Sequence, residues 1–228
     1  MSTAQPMGFS HFLSQTDALG LVLFVILIAM SVASWTVIVT KIRQAMARNK
    51  ETATFLSNFQ AVDNLDKLKS LADSHAAAAH GRIAQAAISA ARYAQVKSGT
   101  GLIDAESPSE LVSRALQQAI DEEAANQEYG QTLLASVASS APFVGLFGTV
   151  WGIYHALVSI GMSGQSSLDQ VAGPVGEALI MTALGLAVAI PAALAYNAFQ
   201  RQARLYSAQL ERFAHDLFVL IATGSKPR

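Results

Sequence analysis

The chain has 228 residues, of which 52% are hydrophobic and 14% are charged, and its mean hydropathy is +0.35. This apolar content is more than one soluble core of this size needs, so the composition predicts a membrane protein. Because the chain contains no cysteine, disulfide scaffolds, thiolate metal sites and cysteine nucleophiles are excluded. A formal net charge of −1, with both signs spread through the polar stretches, gives no sign of nucleic-acid binding.

Three stretches reach the length of roughly 20 apolar residues that a helix needs to cross a bilayer. They are residues 19–40, 132–162 and 172–199. The first stretch follows a segment without Lys or Arg, is longer than the core of a signal peptide and lacks the usual cleavage context. We therefore expect it to be a retained transmembrane helix, which gives three spans.

The positive charges predict the orientation of these spans. Seven of them follow the first or the third span closely: Lys41, Arg43, Arg48, Lys50, Arg201, Arg204 and Arg212. Residues 1–18 and 161–171 contain no Lys or Arg. Because Lys and Arg mark the cytoplasmic side, we predict an outer N-terminal tail at 1–18 and an outer loop at 163–171. The region 41–131 and the C-terminal segment 200–228 are then cytoplasmic.

The predicted cytoplasmic region is polar and rich in Ala, without the alternation that is typical of strands, so we expect helices there. One helix is predicted over residues 76–96. Another begins at Ser107, because Pro108 suits the first helical position and Glu110 completes a capping box.

If that helix runs unbroken to about residue 160, it is about 80 Å long, and its expected kinks are at Gly130 and Pro142. Residues 201–222 are expected to continue the third span as a helix. The predicted packing face of that segment consists of Leu205, Leu210, Phe213 and Leu217.

Small residues form a stripe along each of the second and third spans, and such stripes let membrane helices approach closely. The stripes consist of Ala138, Ala141, Gly145, Gly148, Thr149, Gly152 and Ala156, and of Ala178, Thr182, Gly185, Ala189 and Ala193. The predicted packing positions are Pro142, Gly145, Gly148, Gly152, Gly185, Ala189 and Pro191. Counted from the outer ends of the two spans, Thr149 and Thr182 lie at similar depth and are placed to face each other. The alternative is that each hydroxyl bonds a carbonyl of its own helix.

Glu177 is the only charged residue from 170 to 200, and it lies near the start of the third span. A charge at the centre of a membrane helix costs about 2 to 3.5 kcal/mol, which makes this residue a functional candidate. A carboxyl group in apolar surroundings can take up and release protons near neutral pH, which favours a proton site. The alternative is a carboxylate that snorkels to water or caps the third helix. On an ideal helix Thr182 lies about 140° from Glu177, so a cavity lined by both needs a wide polar sector, local unwinding or a neighbouring subunit.

His155 is the only histidine inside a predicted span, at a depth similar to that of Glu177. It is either a relay partner of that acid or a satisfied histidine at the membrane interface. His75 and His80 are five residues apart, which does not match metal-binding spacing on one helix face, so we expect them to be surface residues. We expect no metal, no cofactor and no catalytic residue.

Two runs of residues resemble the MotA/TolQ/ExbB proton-channel family. The first run is APFVGLFGTVWGIYH at 141–155, and the second is GPVGEALIMTALGLAVAIP at 173–191, followed by AYN at 195–197. The APFVGL opening, the short N-terminal tail and the three-span layout are most similar to the ExbB branch of that family.

The resemblance implies an all-α integral membrane subunit with long helices that extend into the cytoplasm. It implies a pentameric ring of such subunits in the inner membrane of a Gram-negative bacterium, among phospholipids and around transmembrane helices of ExbD. The ring works with TonB in outer-membrane uptake of iron-siderophores and cobalamin, driven by proton flow. The acid at Glu177 and the threonines at Thr149 and Thr182 line the inner cavity and face an aspartate of ExbD in this family. His155 is not part of the family pattern.

Two other functions stay open at this point. A TolQ-like subunit uses the same kind of channel to energise the Tol-Pal system through TolA and TolR. A structural membrane scaffold uses Glu177 only to cap a helix and bind a partner. A MotA-like role is disfavoured because MotA-like proteins have four spans. No nucleotide-binding loop is present in the sequence, which leaves ion flow as the expected energy source.

Overall fold

The computed structural model describes residues 17–62, 64–97, 107–163 and 168–223. These residues form six helices and no strand: α1 Ala18–Gln60, α2 Leu65–Ser74, α3 Ala79–Lys97, α4 Pro108–Glu128, α5 Gln131–Ser163 and α6 Leu168–Thr223. The prediction of an all-α fold is thus confirmed for the described part of the chain. Most of the predicted outer tail, and residues 164–167 of the predicted outer loop, lie outside the described residues.

The three predicted spans fall within α1, α5 and α6. Three helical stretches are long and apolar enough to cross a membrane, namely Ala18–Gln60, Pro108–Met162 and Gly173–Thr223. In the most apolar window of each, only 22%, 33% and 28% of the residues are buried. These helices therefore leave most of their apolar surface uncovered, as expected of helices that contact lipid or further membrane helices.

The chain forms two compact units. The first combines the chain up to Val39 with Gly130–Ala198, and the second combines Thr40–Tyr129 with the chain from Phe199 onward. The core of the first unit is small and lies along the facing sides of its helices. It includes Leu27 of α1, Leu134 and Ala141 of α5, and Ala189 and Ala192 of α6.

A sharp turn separates α4 from α5. Gly130 has φ +81°, a backbone conformation that residues with a Cβ rarely adopt. A Cβ at this glycine would also lie 3.0 Å from Cγ1 of Val37. The stretch from 107 to about 160 is therefore not one unbroken helix, because one helix ends and another begins at the predicted kink at Gly130. Within α5 the helix continues through Pro142.

The sequence signals for α4 and α3 correspond to the structure. Ser107 caps α4, where its hydroxyl accepts the Glu110 N–H at 3.3 Å and its own N–H donates to the Glu110 carboxylate at 2.9 Å. This is the predicted capping box, with Pro108 in the first turn. Helix α3 begins three residues later than predicted. The short helix α2, capped by the Asn64 side chain, was not predicted.

The second unit has an aromatic core. Phe55 and Phe59 of α1 pack edge-on against Phe213 of α6, with ring centroids 5.6 and 5.1 Å apart. The predicted packing face of the C-terminal segment is correct at Leu210, Phe213 and Leu217, which are buried. It is wrong at Leu205, which is 60% exposed. Tyr206 is buried instead.

The prediction that His80 is a surface residue is also wrong, because only 1% of its surface is exposed. Its ring lies 5.0 Å from the Phe213 ring and 5.7 Å from the Phe55 ring. Neither ring nitrogen has a hydrogen-bond partner. Because burial without a partner disfavours the charged form, the pKa of His80 is lowered to about 4.

Candidate functional site

The stripes of small residues bring α5 and α6 into backbone contact. A Cβ built on Gly145 would lie 2.6 Å from the carbonyl oxygen of Met181, and one on Gly185 would lie 2.7 Å from that of Ala141. Both distances are shorter than Cβ contacts in real structures. The two helices approach this closely only because both positions are glycine.

Two further glycines of α5 face side chains of α6. A Cβ at Gly148 would lie 3.0 Å from Cε of Met181, and one at Gly152 would lie 3.0 Å from Cβ of Ala178. With each step forward along α5 the contact moves one step back along α6, so the two helices are antiparallel. This register fixes which residues share a level.

Thr149 is buried in this interface, with 6% of its surface exposed. Its Oγ1 lies 3.1 Å from the carbonyl oxygen of Gly145 in its own helix and 3.1 Å from that of Ala178 in the facing helix. It also forms a hydrogen bond with the Thr182 hydroxyl. The structure thus brings the two threonines together, and it also contains the bond to the residue's own helix that was the alternative. A hydroxyl has one proton, so Thr149 donates to one of these oxygens at a time.

The backbone of Glu177 belongs to α6, but its side chain lies outside the described part of the structure. The neighbouring residue Ala178 faces Gly152, and its carbonyl oxygen accepts a hydrogen bond from the Thr149 hydroxyl. The backbone of residue 177 therefore lies at the N-terminal end of the part of α6 that contacts α5. Because α6 is helical without interruption, residues 177 and 182 remain about 140° apart around the helix axis. The roles of Glu177, Thr149 and Thr182 in a proton pathway stay predictions.

The remaining predicted packing positions lie within the same helices. Pro142 lies inside α5 and Pro191 inside α6, and both helices continue through them. Ala189 is buried, with 5% exposed. The packing roles of Pro142, Ala189 and Pro191 stay predictions.

His155 lies beside Asp17, the residue that precedes α1. Its Nε2 is 3.8 Å from an Asp17 carboxylate oxygen. The same oxygen accepts the indole N–H of Trp151 at 2.6 Å, and the other accepts the N–H of Gly20 at 2.8 Å. Partial burial raises the pKa of Asp17, but these hydrogen bonds and the nearby His155 lower it more, so the pKa is below its ordinary value. Sequence reasoning missed Asp17, since nothing in the pattern linked it to α5.

The second unit contains a buried ion pair that sequence reasoning also missed. Glu123 of α4 is 5% exposed, and its Oε1 lies 2.6 Å from both Nε and Nη2 of Arg82 in α3. Nearby, the Arg48 guanidinium lies 4.2 Å from the centroid of the Tyr206 ring. The buried positions Val112, Leu116, Ile120 and Glu123 have helical spacing, which was the signal available for Glu123.

Known proteins resemble this chain along most of its length. The model of the MotA/TolQ/ExbB proton channel family matches residues 67–212. The biopolymer transport protein ExbB of Xanthomonas campestris pv. campestris is 43% identical over 234 residues, which cover 97% of this chain and 91% of that protein. The ExbB protein of Neisseria meningitidis is 37% identical, with 86% and 89% covered. The Tol-Pal system protein TolQ of Haemophilus influenzae is 34% identical, with 86% and 85% covered.

These matches extend beyond the α5–α6 interface to the helices of both units. A family match over most of a chain, together with three helices able to span a membrane, indicates a transport subunit rather than a member of an enzyme family. The chain belongs to the MotA/TolQ/ExbB proton channel family.

Proposed function

We propose that the chain is the ExbB-type proton-channel subunit of a TonB–ExbB–ExbD complex in the inner membrane of a Gram-negative bacterium. It assembles as a homo-oligomeric ring, a pentamer, around transmembrane helices of ExbD. Proton flow through this ring energises TonB-dependent uptake of iron-siderophores and cobalamin across the outer membrane. The observation that carries the proposal is the 43% identity to an ExbB protein over 97% of the chain.

The uncovered apolar surface supports a ring in a membrane. Phe143, Val150 and Met162 of α5 are 70%, 58% and 85% exposed in the single chain. Leu186 and Leu194 of α6 are also exposed. Subunit contacts and lipid tails would cover these side chains, which is the expected state of apolar groups in a membrane.

Glu177 is the proton-binding residue in this proposal. It is the only charge in its span, and it lies next to Ala178, whose carbonyl oxygen is within bonding distance of Thr149. Thr149 and Thr182 hold the two helices in register beside the acid and contribute polar atoms to the pathway. Proton flow can supply the energy for a movement that repacks helices, because each proton that crosses 100 mV releases about 2.3 kcal/mol and several protons can act together.

The orientation is part of the proposal. The N-terminus and the loop between α5 and α6 are periplasmic, and the second unit with the C-terminus is cytoplasmic. The distribution of Lys and Arg supports it.

The test is complementation of a bacterial strain that lacks its own ExbB protein. The chain is expressed with its ExbD and TonB partners, and uptake of an iron-siderophore is measured together with co-purification of ExbD. Glu177→Gln should abolish uptake while leaving ring mass and ExbD binding unchanged. The matched control is Glu211→Gln, at an exposed acid of the same helix, which should retain uptake. Wild-type uptake by Glu177→Gln would favour the structural scaffold instead.

A TolQ-like role is the second candidate, favoured by the 34% identity to a TolQ protein over 86% of the chain. It predicts that the chain co-purifies with TolR rather than ExbD and restores outer-membrane integrity in a strain lacking TolQ. Co-purification with ExbD, without rescue of the TolQ-deficient strain, would exclude it.

A further inference from the structure

Asp17 and His155 form a titratable pair at the end of the first unit where α1 begins. The carboxylate is fixed there, because one oxygen accepts the Gly20 N–H and the other accepts the Trp151 indole N–H. His155 lies 3.8 Å away, which is too long for a hydrogen bond and within the range of an ion pair. The His155 side chain is 49% exposed. The pair thus contains a fixed negative charge and a base that is half exposed in the single chain.

The pair lies at nearly the same level as Glu177. In the antiparallel register, Gly152 of α5 faces Ala178 of α6, so residue 177 lies level with residue 153. His155 is two residues farther toward the end of α5, an axial offset of about 3 Å at 1.5 Å per residue. Because its helical phase is about 60° from that of Gly152, His155 lies at the edge of the α5–α6 interface.

The aromatic residues around the pair are those that prefer the membrane–water boundary. The His155 ring lies 4.7 Å from the Trp151 ring and 5.7 Å from the Tyr154 ring, and Tyr154 is 58% exposed. Trp and Tyr concentrate at the headgroup level of a bilayer. The pair is therefore at the depth where the aqueous phase meets the spans.

Two titratable side chains of the described residues contact His155. Asp17 faces it from the start of α1, and Tyr154 contacts it within α5. A protonated His155 carries a positive charge within ion-pair range of the Asp17 carboxylate. The arrangement suits proton capture from water.

We infer that Asp17 and His155 form a proton-loading site that supplies Glu177 from the aqueous phase at the end of the spans where α1 begins. The inference rests on the proposed function and extends it to Asp17 and to His155, which is not part of the family pattern. A hydronium ion gives its proton to a ring nitrogen of His155, and the imidazolium is held beside the Asp17 carboxylate. The N–H bond then breaks, the proton passes through intervening water to the Glu177 carboxylate, and His155 returns to its neutral form.

The test uses the complete ring with its partner subunit in liposomes, with proton flux measured while the external pH is varied from 5.5 to 8. Wild-type flux should depend on the external pH, because His155 must take up a proton before it supplies Glu177. His155→Gln should remove that dependence and lower flux several-fold at neutral pH. Asp17→Asn should keep the dependence and lower flux, because it removes the charge that holds the imidazolium.

Two controls separate the loading site from a structural contact and from the proposed function itself. His215→Gln, the same change at an exposed histidine of the second unit, should leave the curve unchanged. Glu177→Gln should carry no flux at any pH. If Glu177→Gln carries no flux while His155→Gln gives the wild-type curve or the same curve uniformly scaled, the loading site alone is overturned. Wild-type flux in Glu177→Gln would overturn the proposed function.

Discussion

Gly145 and Gly185 face each other across α5 and α6 so closely that neither has room for a side chain. A Cβ on Gly145 would lie 3.0 Å from Cα of Gly185, and the nearest atoms around both positions belong to backbone. Backbone cannot move aside as a flexible side chain can. The contact between these two residues therefore sets the separation of the second and third spans.

Gly145→Ala should lower the free energy of unfolding by about 1–3 kcal/mol, the usual cost of overpacking. Alanine favours the helix by about 1 kcal/mol relative to glycine, so the loss arises from the contact and not from helix propensity. Gly161→Ala in the same helix is the control, because nothing lies within 4 Å of a Cβ there. Unfolding in detergent, followed by circular dichroism, measures both. Equal or greater stability of Gly145→Ala relative to the control would contradict the close approach.

Thr149→Val should destabilise the contact between α5 and α6, whereas Thr149→Ser should retain most of it. Valine keeps the shape but loses the hydroxyl that bonds Thr182 and approaches the Ala178 carbonyl. Interhelical hydrogen bonds in membrane proteins contribute about 0.6 kcal/mol on average and up to about 1.7 kcal/mol. A double-mutant cycle with Thr182→Val measures the coupling free energy. Strictly additive effects of the two valine substitutions would show that the hydroxyls do not interact.

His80 makes stability depend on pH. Its folded pKa, about 4, is lower than the ordinary 6.5, so the unfolded chain binds a proton more tightly. The contribution is complete above about pH 6.5 and is lost as the pH falls toward 4, a loss of about 3 kcal/mol. His80→Phe should flatten this part of the stability curve, because it fills the same aromatic site without a titratable group. Unfolding free energies of both proteins at pH 7, 5.5 and 4.5 test it. Parallel curves would contradict a buried neutral His80.

Arg82→Gln should destabilise the second unit by about 1–3 kcal/mol, because it leaves the buried Glu123 carboxylate without its charged partner. The value is at the lower end for a broken buried pair because Arg82 itself is 45% exposed and screened by water. Arg92→Gln, at an exposed arginine of the same helix, is the control. Thermal unfolding compares them. Equal midpoints for the two variants would mean that the ion pair does not stabilise α3 against α4.

The features set by local sequence could be predicted. Long apolar runs marked the three spans, the Ser107 capping box marked the start of α4, and depth counting placed Thr149 near Thr182. Features that depend on distant contacts could not. His80 lies in an Ala-rich stretch without a hydrophobic pattern, and its burial is caused by Phe55 and Phe213, which are far away in sequence.

Two other errors have local causes. Leu205 is five residues before Leu210, which puts it about 140° away from that buried face, whereas Tyr206 is one turn before Leu210 and shares it. Gly130 was predicted to kink the helix, but its positive φ ends the helix rather than bending it. Helical phase, counted residue by residue, would have corrected the first error. The second depended on a backbone angle that glycine permits but does not dictate.

The most direct test of the proton-channel proposal is proton flux in liposomes that contain the purified ring and its partner subunit, with wild-type chain or Glu177→Gln. A membrane potential is imposed, and the internal pH is recorded. Our account predicts flux for the wild type and none above protein-free liposomes for Glu177→Gln, with unchanged ring mass. Wild-type flux through the Glu177→Gln ring would contradict it.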